Sequence, residues 1–152
     1  TMFTYSPIKQ RLDGLVDHVR TVTLDGEPIK DDPSVRQRIG QLATEAEVAR
    51  VMGLRVVSES MKADEVPGTP PPTVESSEYK LFATEFSKRL ADASMDLGAP
   101  GTQLRVKTEE APMEGRAEST YRYTVIDTIG GGSSEIQKNV IARRGLGLPK
   151  NF

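Results

Sequence analysis

The sequence contains no cysteine and a single histidine, His18, among its 152 residues. Without cysteine the chain forms no disulfide and offers no thiolate to a metal or a substrate. Carboxylates alone would have to supply almost every ligand of a metal site. These absences exclude a disulfide-stapled fold, a zinc knuckle and thiol catalysis, and they fit a cytoplasmic protein in a reducing compartment.

Long apolar runs and an excess of charge of either sign are also missing. The 20 Lys and Arg residues nearly balance the 22 Asp and Glu residues, which gives a formal net charge of −2. No strong field therefore attracts nucleic acid or an anionic membrane. The apolar runs are only a few residues long, whereas roughly 20 residues are needed to cross a bilayer. We expect a single soluble domain with no nucleic-acid partner and no membrane partner.

Apolar residues recur at intervals of three and four along most of the chain, which is the period of an amphipathic helix. The pattern predicts a first helix over residues 8–22. A second helix is predicted after Asp32, a good N-cap, with Pro33 at its first position, and it runs to about Met61. Four prolines and a glycine exclude a helix over residues 66–73. The core face of a third helix is predicted to carry Tyr79, Phe82, Phe86, Leu90, Ala93 and Leu97.

Glycines divide the C-terminal part of the chain. A loop over residues 98–115 precedes a fourth helix, and three consecutive glycines at residues 130–132 end it. Ser134, followed three positions later by Gln137, is typical of a capping box and predicts a fifth helix that stops near Gly145. The inner side of the fourth helix is predicted to carry Ala117, Tyr121, Val125 and Thr128.

These patterns predict an all-α fold. Alternation of period two, the pattern of a strand, is confined to residues 103–106. Three long helices and a shorter one, joined by short crossings, indicate an up-down four-helix bundle with a trailing C-terminal helix. We expect residues 1–152 to form one such domain.

Few residues offer catalytic chemistry. His18 has no nucleophile partner in the sequence and is expected at the surface. The carboxylate pairs Glu45/Glu47 and Glu109/Glu110 are typical of solvated charge. The triple glycine at residues 130–132 is the one place where backbone can pass close to a ligand and lead into a helix, which suits a phosphate. It is neither a Walker loop nor a dinucleotide fingerprint, and a simple tight corner is the alternative.

Three segments resemble the C-terminal domain of flavin-dependent acyl-CoA dehydrogenases. TIGGGSSEIQKNVIARRGLGLPKNF, residues 128–152, resembles the end of that family, in which a Gly-Thr/Ser-Ser-Glu/Gln-Ile-Gln motif opens the last helix. DDPSVRQRIGQLATEAEVARVMGLR, residues 31–55, is similar to the domain's second helix. YKLFATEFSKRLADASMDLGAPG, residues 79–101, is similar to the third. The similarity spans nearly the whole chain in the family's order and implies a four-helix bundle.

The resemblance implies an FAD-dependent oxidoreductase. Such enzymes remove an α-proton from an acyl-CoA with a glutamate and pass the β-hydride to the flavin. The family also has an N-terminal helical domain and a middle β-domain, which we expect to be absent from this chain, with FAD between the middle and C-terminal domains. The implied partners are an acyl-CoA substrate, an electron-transfer acceptor and the other subunits of a homo- or hetero-tetramer. The C-terminal domain alone is expected to be inactive.

The resemblance also assigns cofactor contacts to individual residues. Ser133 matches a hydroxyl that meets the cofactor, and Glu135 matches the neighbouring polar position. Gly98 and Ala99 match a Gly-Gly stretch that approaches the adenine half of FAD from a neighbouring subunit. Gly131 occupies the position of the common glutamate base, so no catalytic residue is assigned. Ser133 as a plain cap and Gly98 as a plain helix stop are the structural alternatives.

Other positions depart from the family's pattern. Met95 stands where the family has a polar residue, and Val22 and Asp25 fall near the arginine and phenylalanine that hold FAD across subunits. Some relatives carry the base on the preceding helix, at a position just ahead of Thr1, and others form mixed assemblies with one incomplete subunit. Together with Gly131, these departures favour the alternative function, a non-enzymatic helical interaction module derived from the family.

Overall fold

The computed structural model describes residues 5–98 and 100–149, so the predicted contact at Ala99 lies outside the described residues. The described chain is dominated by helices, which confirms the all-α bundle with a trailing helix. The α-helices are α1 Tyr5–Thr21, α2 Pro33–Glu65, α3 Thr73–Leu97, α4 Arg116–Asp127 and α5 Ser134–Val140. Short 3-10 turns at Ile29–Asp31 and Pro112–Gly115 precede α2 and α4, and a π-helical turn at Ile141–Gly145 continues α5.

Helix α2 begins where its sequence predicts. The Asp32 carboxylate accepts the N–H of Ser34 at 2.7 Å, and Pro33 is the first helical residue. The helix runs to Glu65, one turn beyond the predicted end, and stops at Val66, which has extended dihedral angles (φ −111°, ψ 106°). Val66 precedes a proline, and the proline ring disfavours helical geometry in the residue before it.

Helix α3 is the centre of the bundle, because it packs against α1, α2, α4 and α5. Phe86 and Leu90 of α3 and Leu15 of α1 have no exposed surface. The apolar face predicted for the third helix is confirmed. The core includes Ile8, Leu12, Leu15, Val19, Val35, Leu42, Ala46, Ala49, Tyr79, Phe86, Leu90 and Ala93, with Phe82 and Leu97 partly buried against them.

The inner face predicted for α4 is wrong. Ala117 is buried as predicted, but Tyr121 and Val125 are 45% and 50% exposed, and the second buried side chain is Thr124. The Thr124 hydroxyl donates to the Tyr121 carbonyl at 2.9 Å, so this polar side chain can be buried with its hydrogen bond satisfied. Helix α4 therefore packs against α3 through small side chains, and its large side chains are exposed.

Strand pairing occurs at a different place from the predicted one. Residues 103–106 form turns instead of a strand. A two-stranded antiparallel hairpin instead joins Thr23–Leu24 (β1) to Glu27–Pro28 (β2). Asp25 and Gly26 between them have φ of 52° and 87°, as a two-residue hairpin turn of type I′ requires. In residues 5–98 and 100–149, no helix combines the length and the apolar character that spanning a bilayer requires.

Candidate functional site

The glycine-rich turn, residues 128–133, connects α4 to α5. The N–H of Gly130 donates to the Ile126 carbonyl at 2.8 Å, and the N–H of Ser134 donates to the Thr128 carbonyl at 3.1 Å. Gly131 and Gly132 have φ of 70° and 98°, in the region that side chains rarely adopt. The backbone path of the turn therefore depends on glycine at these two positions.

Ser133 caps α5. Its hydroxyl oxygen accepts the N–H of Ile136 at 3.5 Å, and its backbone is extended. The hydroxyl also bonds the Glu135 carboxylate, which is the main cause of the lowered pKa of Glu135. Ser133 and Glu135, two of the predicted cofactor contacts, are thus adjacent and coupled at the start of the same helix.

The predicted capping box is displaced by one residue. Ser134 is the first helical residue and not the cap, and its hydroxyl donates to Oε1 of Glu85 on α3 at 2.6 Å. Gln137 does not reach back to the cap either. Its amide Nε2 donates to the carbonyls of Gly131 at 3.1 Å and Gly132 at 3.2 Å. Gln137 thus binds the carbonyls of the turn, and Ser134 connects the start of α5 to α3.

A buried lysine on α3 contacts the same turn. Lys80 is 7% exposed, and its ammonium donates to the carbonyl of Gly132 at 2.7 Å and to that of Thr128 at 3.4 Å. Burial lowers the pKa of Lys80, while the charges of Glu85, Asp127 and Glu135 act in the opposite direction. The carbonyls at both ends of the turn are therefore bound by one cation.

Three consecutive backbone N–H groups of the turn are free for another acceptor. Within residues 5–98 and 100–149, no acceptor takes the N–H of Gly131, Gly132 or Ser133. Successive free N–H groups in a left-handed turn are a common way for proteins to bind an anionic oxygen. A cleft of about 490 Å³ lies beside the turn, between α2 and α3. Its wall includes Val56, Tyr79, Lys80, Gly131 and Gln137.

Gly98 lies near the other end of α3. Ser134, beside the turn, bonds Glu85 of α3. Gly98 lies thirteen residues after Glu85, which corresponds to roughly 20 Å along the helix. A Cβ on Gly98 would overlap Cγ2 of Thr102 and would lie 2.8 Å from Cε of Met113. Gly98 therefore allows the following loop to pack closely on the helix end. The predicted contacts at Gly98 and Ser133 belong to two separate places on the chain.

His18 is not the ordinary surface residue that its neighbours predict. Its Nε2 atom is buried and has no hydrogen-bond partner among the described residues. Burial lowers the pKa of His18, and a hydrogen bond with the backbone of Gly98 acts in the opposite direction. His18 and Gly98 thus mark one end of the bundle, where the hairpin that carries Val22 and Asp25 also begins.

A second cleft, of about 470 Å³, opens between α1, α3 and α4. Its lining includes Arg11 and Gly14 of α1, Leu90 of α3, and Met113 and Arg116 next to and in α4. Among the described cofactor contacts predicted from the sequence, Gly98, Ser133 and Glu135 do not line this cleft.

Two of the four carboxylates expected to be surface charge are paired with arginines. Glu45 pairs with Arg89 across α2 and α3, and Glu47 pairs with Arg50 one turn along α2. Among residues 5–98 and 100–149 there is no group of three or more His, Asp or Glu side chains placed to hold a metal ion.

The contacts of Lys80, Glu85 and Ser134 were missed by the sequence analysis. One signal could have indicated a second buried face on α3. Residues with small or polar side chains recur there at intervals of three and four, opposite the aromatic stripe. All of them are buried: Ser77, Lys80, Thr84, Ser87, Ala91 and Ser94.

Comparison with known proteins identifies relatives of the chain. Residues 1–146 match the family described as acyl-CoA dehydrogenase, C-terminal domain. The acyl-CoA dehydrogenase IpdE1 of Mycobacterium tuberculosis is 33% identical over 121 residues, which are 79% of this chain and 28% of that protein. FadE26, an acyl-CoA dehydrogenase of the same organism, is 26% identical over 125 residues, which are 82% of this chain and 30% of the relative.

A solved structure has the same fold. The ChsE4–ChsE5 complex from Mycobacterium tuberculosis superposes with a TM-score of 0.86 and 24% identity, over 98% of this chain and 36% of the matched chain. The present chain therefore spans about a third or less of the length of these relatives. The family match covers all the helices described above, in the order that the resemblance of the sequence predicts. The chain belongs to the acyl-CoA dehydrogenase family and corresponds to its C-terminal domain.

Proposed function

We propose that this domain works within an FAD-dependent acyl-CoA dehydrogenase, an oxidoreductase that introduces a double bond between the α and β carbons of an acyl-CoA thioester. The other domains and most of the acyl pocket then belong to a longer polypeptide, since the chain spans only 28–30% of its curated relatives. The proposal includes an electron-transfer protein as final acceptor and a cytoplasmic location. FAD, when bound, accepts the hydride in this chemistry.

The main observation in support of the proposal is the presence of the glycine-rich turn in a chain of this family. The free N–H groups of Gly131 and Gly132 fit the anionic oxygens of a pyrophosphate, and the Ser133 hydroxyl lies beside them. Gly98 and Ala99 are proposed to contact a second FAD, held by a neighbouring subunit. The two proposed contact regions are separated by roughly 20 Å along α3.

Glu135 is a weaker candidate than Ser133. Its carboxylate stays ionised because the Ser133 hydroxyl bonds it and lowers its pKa. An ionised carboxylate repels a phosphate at close range. We propose that Glu135 orients the Ser133 hydroxyl and reaches the cofactor through that hydroxyl.

The position of the common family base in the turn carries no proton acceptor. Gly131 has no side chain, and its φ of 70° disfavours the glutamate that the family commonly has there. The base is therefore proposed to lie in another part of the longer polypeptide or in a partner subunit. In this scheme the domain binds and orients the cofactor and excludes water, while the proton moves elsewhere.

Assembly with other subunits is the second part of the proposal. Helix α2 presents an exposed apolar stripe: Val51, Leu54, Val57 and Met61 are 54–56% exposed. A contiguous apolar surface on a helix usually marks an interface. We propose that this stripe packs against a second subunit in a homo- or hetero-tetramer.

The test uses the complete polypeptide that contains this sequence, purified with its subunits. We expect it to carry FAD, detected by the visible flavin absorbance and by release of the cofactor on denaturation. The variant Ser133→Asp should retain the cap of α5, because aspartate is a good N-cap, but should weaken FAD binding by about tenfold or more through repulsion of the phosphates.

Ser133→Asn is the matched control. Asparagine also caps a helix and has nearly the shape of aspartate without its charge, so FAD binding should fall much less. Equal retention of FAD by both variants would contradict the assignment of the turn.

The non-enzymatic interaction module remains the second candidate. The observation that favours it is Gly131 at the position of the common base, together with the exposed stripe of α2. A complete polypeptide that forms its oligomer but is colourless and cannot be loaded with FAD would support this function and reject the enzyme.

A further inference from the structure

Lys80 is an unusual residue for the interior of a helix bundle. Lysine is almost never fully buried unless its charge is compensated, because removing an ammonium from water is costly. Here the ammonium lies on the buried small-residue face of α3, and its partner at 2.7 Å is a backbone carbonyl, that of Gly132. A residue that served packing alone would not require this charge.

Two carbonyl partners of Lys80 belong to the same feature of the fold. Thr128 and Gly132, whose carbonyls it binds, stand at the beginning and near the end of the glycine-rich turn. The Thr128 carbonyl also accepts the N–H of Ser134 at 3.1 Å. One cation thus fixes the separation between the end of α4 and the start of α5.

The charges around Lys80 connect it to the same segment. Glu85, Asp127 and Glu135 interact electrostatically with the ammonium. Glu85 also accepts the Ser134 hydroxyl at 2.6 Å, and Gln137 binds the carbonyls of Gly131 and Gly132 from the other side. The carbonyls of Thr128, Gly131 and Gly132 are thus bonded by side chains, while the N–H groups of residues 131–133 donate to no acceptor in the described part of the chain.

We propose that Lys80 is a positioning residue that holds the backbone of the glycine-rich turn in the conformation required for cofactor binding. The expected effect of Lys80 on the affinity for FAD rests on the proposed function. Its structural part, the control of the turn by the Lys80 ammonium, is independent of any cofactor.

The first test is amide hydrogen exchange of the complete polypeptide without flavin. In the Lys80→Met variant, the amides of Gly130 and Ser134 should exchange about tenfold faster, because a charged hydrogen bond that closes the turn is lost. Lys88→Met is the matched control, since Lys88 is exposed on the same helix, and it should leave these amides unchanged. Unchanged exchange in Lys80→Met would overturn the inference.

The second test separates positioning from general stability. Leu90→Ala removes a fully buried side chain of α3, ten residues along the helix from Lys80, and it should speed exchange throughout the bundle. At a temperature where both variants are folded, Lys80→Met should weaken FAD binding about tenfold more than Leu90→Ala does. Equal losses of FAD affinity in the two variants would mean that Lys80 affects binding only through the stability of the fold, which would overturn the inference.

Further outcomes keep the inference distinct from the proposed function. If the wild-type polypeptide cannot bind FAD, the proposed function fails, while the exchange experiment still decides the role of Lys80. If Lys80→Met does not fold, Lys80→Gln supplies a neutral donor at the same position. Faster exchange confined to the turn in that variant would support the inference, and wild-type exchange there would reject the need for the charge.

Discussion

Gly132 is the residue whose replacement should disturb the turn most directly. Its φ is 98°, and a Cβ there would lie 2.8 Å from Nε2 of Gln137. The Gln137 amide would have to move and release the carbonyls that it binds. We expect Gly132→Ala to lower the free energy of unfolding by about 1–3 kcal/mol, the usual cost of such strain.

Gly40→Ala provides the opposite control. Gly40 lies inside α2 with no atom within 4 Å of a Cβ position, so alanine should raise the free energy of unfolding by about 0.5–1 kcal/mol. Urea unfolding measures both changes. A neutral Gly132→Ala variant would show that the turn does not need glycine at this position.

His18 should make stability depend on pH. Its pKa in the folded state is lowered from 6.5 by burial, so the unfolded chain takes up a proton at higher pH than the folded chain. The free energy of unfolding should therefore fall as pH decreases from about 6.5 through the folded pKa, and it should be insensitive to His18 above that range.

NMR titration checks this directly, because His18 is the only histidine. The midpoint of its imidazole signals should lie below 6.5. The variant His18→Gln should lose the corresponding slope of stability against pH. A midpoint at or above 6.5 would contradict the burial of the imidazole.

At the scale of elements, the N-cap of α2 carries a prediction of its own. The Asp32 carboxylate accepts the backbone N–H and the hydroxyl of Ser34, and these bonds lower its pKa. Asp32→Ala should lower the thermal midpoint by a few degrees at neutral pH. The difference from wild type should shrink as pH falls through the lowered pKa of Asp32, because the protonated cap accepts hydrogen bonds less well.

Asp31→Ala is the matched control in differential scanning calorimetry. Asp31 is also exposed and acidic but has no role as a cap, so its replacement should have little effect. Equal shifts for the two variants would indicate a general charge effect and not a cap.

Helices α1, α2 and α3 could be predicted from the sequence because large apolar residues on one face carry their packing. The same rule failed for α4. There the contact with α3 is made by Ala117 and Thr124, while the exposed outer face carries Tyr121 and Val125. Hydrophobic periodicity cannot recognise a helix that packs through small side chains and keeps its apolar residues outside.

The candidate site could be predicted only in part. The break at residues 130–132 was evident from three glycines, because this composition excludes a helix. The partners of the turn were not evident. Lys80 is separated from Gly132 by 52 positions, and no local pattern links a lysine to a distant carbonyl. The predicted cap was one residue off because Ser133 and Ser134 are both suitable caps.

At the scale of the whole molecule, the exposed stripe of α2 predicts the assembly state. In the complete polypeptide, Leu54→Asp combined with Val57→Asp should place two charges in the proposed interface. Each change occurs twice in a symmetric interface, so the subunits should separate there. We expect the mass of the assembly measured by light scattering to fall by about half. Gln37→Asp, an exposed change on the same helix about 20 Å from the stripe, should leave the mass unchanged. An unchanged mass in the double variant would exclude this stripe from the interface.

The central position of α3 also has a consequence for synthesis. A ribosome makes α1 and α2 first, and much of the surface that they bury belongs to residues 73–97. Their apolar faces can pair with each other but stay partly open to water until those residues have emerged. The contacts of α5 with α3 span about fifty residues, so the glycine-rich turn closes last. We therefore expect the nascent chain to depend on chaperones until α3 is made, and to form its glycine-rich turn only after α3 and α5 have packed together.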